Sequence, residues 1–153
     1  MTPSPATRHQ RISGRLFYLL QSYLEAHPIG EVFTAPFDVL LSRIDIVVPD
    51  LVFIANTHSS IITSKNLQGA PNLVIEILSP STRAREDSLK RDLYDRAGVE
   101  EYWLVDPDED TIVVYRRGSD RFEAPRTIRR TQNLTTPLLP GFELPLEHVF
   151  SAR

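Results

Sequence analysis

The chain has 153 residues, 41% of them apolar and 24% charged, with a net charge of −3. That is enough to bury a core within one α/β domain, and it gives no overall electrostatic reason to expect nucleic acid. With zero cysteines, disulfides and thiolate metal sites are excluded, and His9, His27, His58 and His148 show no paired zinc spacing, so any metal would be held by oxygen.

From Arg8 to about Ala26, Ile12, Leu16, Leu19, Leu20 and Tyr23 recur at helical spacing, and His27-Pro28-Ile29-Gly30 supplies a stop. Residues 31–41 and 45–55 are rich in β-branched and aromatic side chains and predict two adjacent antiparallel strands around Ser42-Arg43-Ile44. The longest apolar run, "IDIVVPDLVFIA", is broken at Pro49-Asp50 and falls short of the roughly 18 residues of a membrane span. The N-terminal "MTPSPATRHQR" lacks the apolar core of a signal peptide, so a cytoplasmic protein without membrane attachment is expected.

Residues 56–70 are polar and turn-like, with room for a short helix. Residues 72–78 then read as a strand apolar on both faces, as in the middle of a covered sheet. Ser79, Ser81 or Thr82 caps a helix from about Arg83 to Ala97, which Gly98 ends. On it Leu89, Leu93 and Ala97 form an apolar stripe with Lys90 at its edge and Asp87 and Tyr94 just beyond, so Lys90 can lean back toward the sheet.

Strands at 101–105, 111–117 and near 121–128 follow, with Asp106 shaping the turn before Pro107. Within this region Arg116, Arg117, Arg121, Arg126, Arg129 and Arg130 form a local basic stripe, read as the solvated face of a hairpin. The tail "LLPGFELPLEHVF" turns at Pro140-Gly141 and docks on the core. No internal repeat and no linker interrupts the chain, and one domain over residues 1–153 is expected.

Two carboxylates break the apolar pattern. Glu76 sits inside "LVIEIL" and Asp50 inside "IVVPDLVFI", although burying an unpaired charge costs several kcal/mol or more. Two acids on successive strands of one sheet can converge, and carboxylates with backbone carbonyls and water suit a hard divalent ion. The alternative is a metal-free ion cluster in which Glu76 pairs with Lys90 or an arginine. Tyr94 and Trp103 read as core aromatics, and His9 reads first as a solvated helix-end histidine, with an approach to the acids as the alternative. Ser79 reads as a holder of Glu76 or of the helix start, not a nucleophile, because no histidine in the motif activates it.

The ordered set "VVPDLVFI", "GAPNLVIEILSPST", then Asp87, Lys90 and Tyr94 at D-x-x-K-x-x-x-Y spacing, then "GVEEYWLVDP", lies within residues 8 to 117. It resembles the PD-(D/E)XK nuclease superfamily and, within it, the bacterial Uma family of restriction-endonuclease-like proteins. The resemblance implies a restriction-endonuclease-like α/β core, a mixed central sheet flanked by helices, in an endonuclease that hydrolyses DNA with a divalent metal. It casts Asp50 and Glu76 as the acids that hold Mg²⁺ or Mn²⁺ and the carbonyl of Ile77 as a further oxygen ligand. Lys90 completes the implied catalytic set, replacing a lysine that normally lies two residues past the acid, where this chain has Leu78. Members of the family also carry an acidic strand ahead of an "SPSPRHQ"-like segment, whereas this chain begins "MTPSPATRHQ", so the expectation is that either the start is misplaced or an edge strand, with an additional acidic residue, is missing. The other function considered is a non-catalytic nuclease-fold module that binds nucleic acid or protein. A homodimer is expected from apolar strands that would otherwise end a small sheet.

Overall fold

The computed structural model describes residues 6–79 and 83–151, the side chains of 83–87 excepted. Ser81, Thr82 and the side chain of Asp87, named above as caps or site neighbours, therefore lie outside the described residues.

Helix α1 (Thr7–Ala26) buries Ile12, Leu16, Leu20 and Leu24. This fourfold spacing places one stripe against the sheet. Its last turn closes when the His27 N–H donates to the Tyr23 carbonyl at 2.8 Å.

The next segment is more broken than the sequence suggests. Strands β1 (Gly30–Thr34), β2 (Val39–Leu40), β3 (Ile46–Val47) and β4 (Leu51–Ala55) replace the two long strands expected at 31–41 and 45–55. β1 and β4 do pair antiparallel, from Gly30 opposite Ala55 to Thr34 opposite Leu51. Pro36 and Pro49 have no N–H to donate and fall between the paired pieces. β2 and β3 thus form a separate hairpin, joined by β5 (Leu67–Gln68) in a sheet of order β3-β2-β5. A 3-10 helix, Asn56–Ile61, supplies the short helix of the polar stretch.

Strand β6 (Leu73–Ile77) is buried along its whole length. Helix α2 (Arg83–Ala97) follows and ends at Gly98, whose φ of +89° suits a residue without a Cβ. Then come β7 (Glu101–Asp106), β8 (Thr111–Arg116), β9 (Arg126–Arg129), β10 (Asn133–Leu134), β11 (Leu144–Pro145) and α3 (Leu146–Phe150). Asp106 shapes the β7–β8 turn as expected, accepting the N–H groups of Asp108 and Glu109 on Oδ1 at 3.0 and 3.2 Å. The last main strand occupies 126–129, not 121–128, because residues 117–122 turn back through the Arg117–Phe122 bridge.

Among the described residues the main sheet has six strands in the order β1-β4-β6-β7-β8-β9. β6 and β7 run parallel, with α2 as their crossover, and the remaining pairs are antiparallel. The fold is thus mixed α/β with a mixed central sheet flanked by helices. Strand alternation divides the core between two faces. Leu51, Phe53, Leu73, Ile75, Trp103 and Val105 pack with the α1 stripe, while Val52, Ile54, Val74, Tyr102 and Leu104 pack with Tyr94 of α2. No helix among the described residues is long and apolar enough to cross a membrane.

Two sequence expectations change here. Leu89 is 63% exposed, whereas Tyr94 is fully buried, so α2 turns Lys90 and Tyr94 toward the sheet in place of the Leu89 stripe. The face beneath α2 carries the Glu76 carboxylate, and a leucine above it would leave that charge unpaired. The basic stripe also dissolves in part. Arg117 pairs with Asp95 at 3.1 Å, Arg130 with Asp110 at 2.7 Å, and Arg116 lies 3.5 Å from buried Glu101.

Leu16→Ala should cost about 2–5 kcal/mol through cavity formation, whereas Leu89→Ala should stay within about 0.5 kcal/mol of the parent. Urea denaturation of both variants checks the helical phases.

Candidate functional site

Register brings the two anomalous acids together. β4 pairs antiparallel with β6, Leu51 opposite Ile75, and one further step along that register sets Asp50 opposite Glu76. Asp50 lies in the bend just before β4, so its carboxylate, not its backbone, meets the neighbouring strand. Its Oδ2 accepts the Ile77 N–H at 2.7 Å. Its Oδ1 lies 3.3 Å from Nε2 of His9, on the first turn of α1.

Glu76 is 7% exposed, and its side chain points to the α2 side of the sheet. The Lys90 ammonium is 3.0 Å from its Oε2, and the Tyr94 hydroxyl donates to the same oxygen at 2.8 Å. Lys90 and Tyr94 are four residues apart, one helical turn, and so reach down together. The lean of Lys90 toward the sheet is thus observed. Tyr94 is a core aromatic, as read, yet its polar tip also fixes Glu76.

Residues 1–147 match the profile of the Uma2 family, which carries the description "Putative restriction endonuclease". The chain belongs to the Uma2 family. No functionally curated protein matches it. Among solved structures, the chain is similar to a crystal structure described as a putative nuclease belonging to DUF820 from Anabaena variabilis. The two share 21% identity with a TM-score of 0.82, over 99% of this chain and 84% of the other, a likeness of fold.

In this Uma2 protein, burial raises the pKa of Glu76 above its ordinary value, and the negative charge of Asp50 adds to the rise while Lys90 and Tyr94 oppose it. The His9 pKa is also raised, chiefly by its hydrogen bond to Asp50 and against the effect of burial. Tyr94 is held well above the usual phenol range by burial and by Glu76, so it remains a donor.

For His9 the structure decides between the two readings, against the solvated one. Its side chain is only 15% exposed and faces Asp50, because the helix it starts is docked on the sheet. A helix-end position is normally solvated, and only the packing of α1 moves this one inside.

Among the described residues no three His, Cys, Asp or Glu side chains form a metal-holding group. An ion would therefore rest on two carboxylates, backbone oxygen and water. The residues fit that demand in two respects. Asp50 lies one residue before the pairing of Leu51 with Ile75, beside Glu76 on the next strand, and its charge adds to the raised pKa of Glu76, a repulsion that a shared cation relieves. Among the described residues, both Glu76 contacts also fall on Oε2. Glu101, a buried acid that sequence reasoning missed, offers the contrast. Its Oε1 accepts the Trp103 indole N–H at 2.8 Å and its Oε2 the Thr136 hydroxyl at 2.7 Å, a closed structural network. The only sequence signal for it was an acid at the mouth of the apolar run "YWLV".

The raised pKa of Glu76 has a definite sign. The folded state favours the protonated acid, so burial of the carboxylate opposes folding increasingly as pH rises past the ordinary value of 4.5 toward the higher folded value. In EDTA, Glu76→Gln should raise the melting midpoint at pH 7, and the gain should shrink toward pH 4. Melting curves of both proteins across that range check it.

Proposed function

We propose that this Uma2 protein is a metal-dependent endonuclease that hydrolyses phosphodiester bonds in DNA. The observation that carries the reading is the Lys90 ammonium 3.0 Å from buried Glu76, with Asp50 one residue before the pairing of Leu51 with Ile75 across β4 and β6. Family membership and the nuclease-like fold support it, although fold alone does not define a reaction.

In this reading Asp50, Glu76 and the carbonyl of Ile77 hold Mg²⁺ or Mn²⁺. When bound, such an ion supplies charge neutralisation at the phosphate and a more acidic water. The protein's own residues do the rest. The Ile77 N–H and His9 hold the Asp50 carboxylate from two sides, and Tyr94 holds Glu76 without taking up charge. Lys90, one-third exposed, extends from the helix so that its ammonium meets both Glu76 and an incoming phosphate. Its positive charge stabilises the negative charge that develops as water adds to phosphorus and the P–O bond breaks.

A homodimer belongs to the same reading. β3 ends its small sheet, and Ile44, Ile46 and Val48 beside it are 88%, 59% and 48% exposed. These apolar side chains alternate along one edge and suit an isologous contact. Light scattering at micromolar concentration should return twice the monomer mass.

Asp50→Asn and Glu76→Gln should each abolish Mn²⁺ binding in calorimetry and any metal-dependent cleavage of plasmid DNA. Lys90→Met should instead retain the metal and lower cleavage by at least about 100-fold, because a contact of the transition state is lost and not a ligand. Unchanged Mn²⁺ affinity in both acid variants would overturn the site. Wild-type protein that binds Mn²⁺ but cleaves no nucleic acid would favour the non-catalytic binding module.

A further inference from the structure

His9 lies outside the acid and lysine set, and its surroundings are costly for a residue that only packs. Nε2 meets Asp50 at 3.3 Å, while Nδ1 is buried with no hydrogen-bond partner among the described residues. A buried nitrogen left unpaired opposes folding by about 1–3 kcal/mol, so stability alone does not account for an imidazole here.

The frame around it is rigid. One residue earlier, Arg8 donates to the Asp110 carboxylate at 2.7 Å and to the Pro107 carbonyl at 3.3 Å, which ties the start of α1 to the β7–β8 turn. Three residues later, Ile12 is fully buried. His9 is thus fixed on both sides before it meets Asp50. Asp50 itself sits in a bend, where no strand pairing restrains its side chain, and its two oxygens face different elements, Oδ2 accepting from the Ile77 N–H of β6 and Oδ1 lying 3.3 Å from His9 Nε2 of α1.

We propose that His9 is a positioning residue for Asp50, its Nε2–H holding Oδ1 so that the carboxylate stays aimed at the point it shares with Glu76. Nε2 can donate whether the ring is neutral or charged, so the role does not depend on a change of protonation. The inference rests on the metal reading above and assigns a cause to the orientation of one of its ligands. Groups that orient a metal ligand in this way typically change affinity by about 10- to 100-fold when removed.

The test uses His9→Gln, whose terminal amide N–H replaces Nε2–H, and His9→Asn, whose shorter amide falls at the position of Nδ1, together with His9→Ala. Calorimetry with Mn²⁺ should show affinity at least about tenfold weaker in His9→Asn and His9→Ala, and within about threefold of wild type in His9→Gln. Melting in EDTA reports whether each variant folds, and the Gln and Asn pair decides the matter if His9→Ala does not. Equal affinity in all variants, or equal loss in Gln and Asn, would overturn the positioning role while leaving the metal site standing. Wild-type protein that takes up no Mn²⁺ would overturn the metal reading and this inference with it.

Discussion

A carboxylate buried in the middle of a sheet has to be answered by whatever packs over it, and Glu76 imposes that condition on this fold. At 7% exposure it cannot rely on water, and an uncompensated charge there would cost more than the marginal stability of a domain this size readily tolerates. The helix above meets the demand with two donors one turn apart, an ammonium and a phenol, both directed to Oε2. The rotation of α2 follows from this, including the outward turn of Leu89. The crossover that makes β6 and β7 parallel therefore has a chemical role as well as a topological one.

The two buried acids of the sheet show how differently the same residue type can be used. Glu101 has its oxygens occupied by the neutral donors Trp103 and Thr136, with Arg116 also 3.5 Å from Oε1, and it functions as a joint between β7 and the C-terminal segment. Glu76 faces a cation and a second acid, and repulsion from Asp50 adds to its raised pKa. Convergent like charges are poor for stability and are found where a site needs them. That contrast, more than burial itself, supports reading Glu76 as functional and Glu101 as structural.

Around Asp50 the same economy is visible. A residue in a bend has few restraints, yet this one is held by a backbone N–H from β6 and by a histidine from α1. The helix in turn is anchored by its buried stripe and by Arg8 at Asp110. Arg130 shares that aspartate, which pairs part of the apparent basic stripe with an acid at the foot of α1. The proposed nuclease chemistry thus rests on Lys90, a cation one-third exposed beside Glu76.

Local pattern alone determined a good deal. The spacing of Ile12, Leu16 and Leu20 specified α1, Gly98 marked the end of α2, and the interruption of apolar runs by Asp50 and Glu76 marked the acids. These are short-range properties, written in side-chain periodicity and in the cost of burying charge. The family was legible too, because its motifs are an ordered set of such local words. Tertiary structure decided what pairing and packing alone can settle: the split of the strands at Pro36 and Pro49, the β4–β6 register that sets the acids opposite each other, and the face that α2 turns down. It also carried His9 from an expected solvated helix end to the Asp50 carboxylate. Local pattern offered that approach only as an alternative, because the contact joins residues 41 positions apart and exists only once α1 has docked on the sheet.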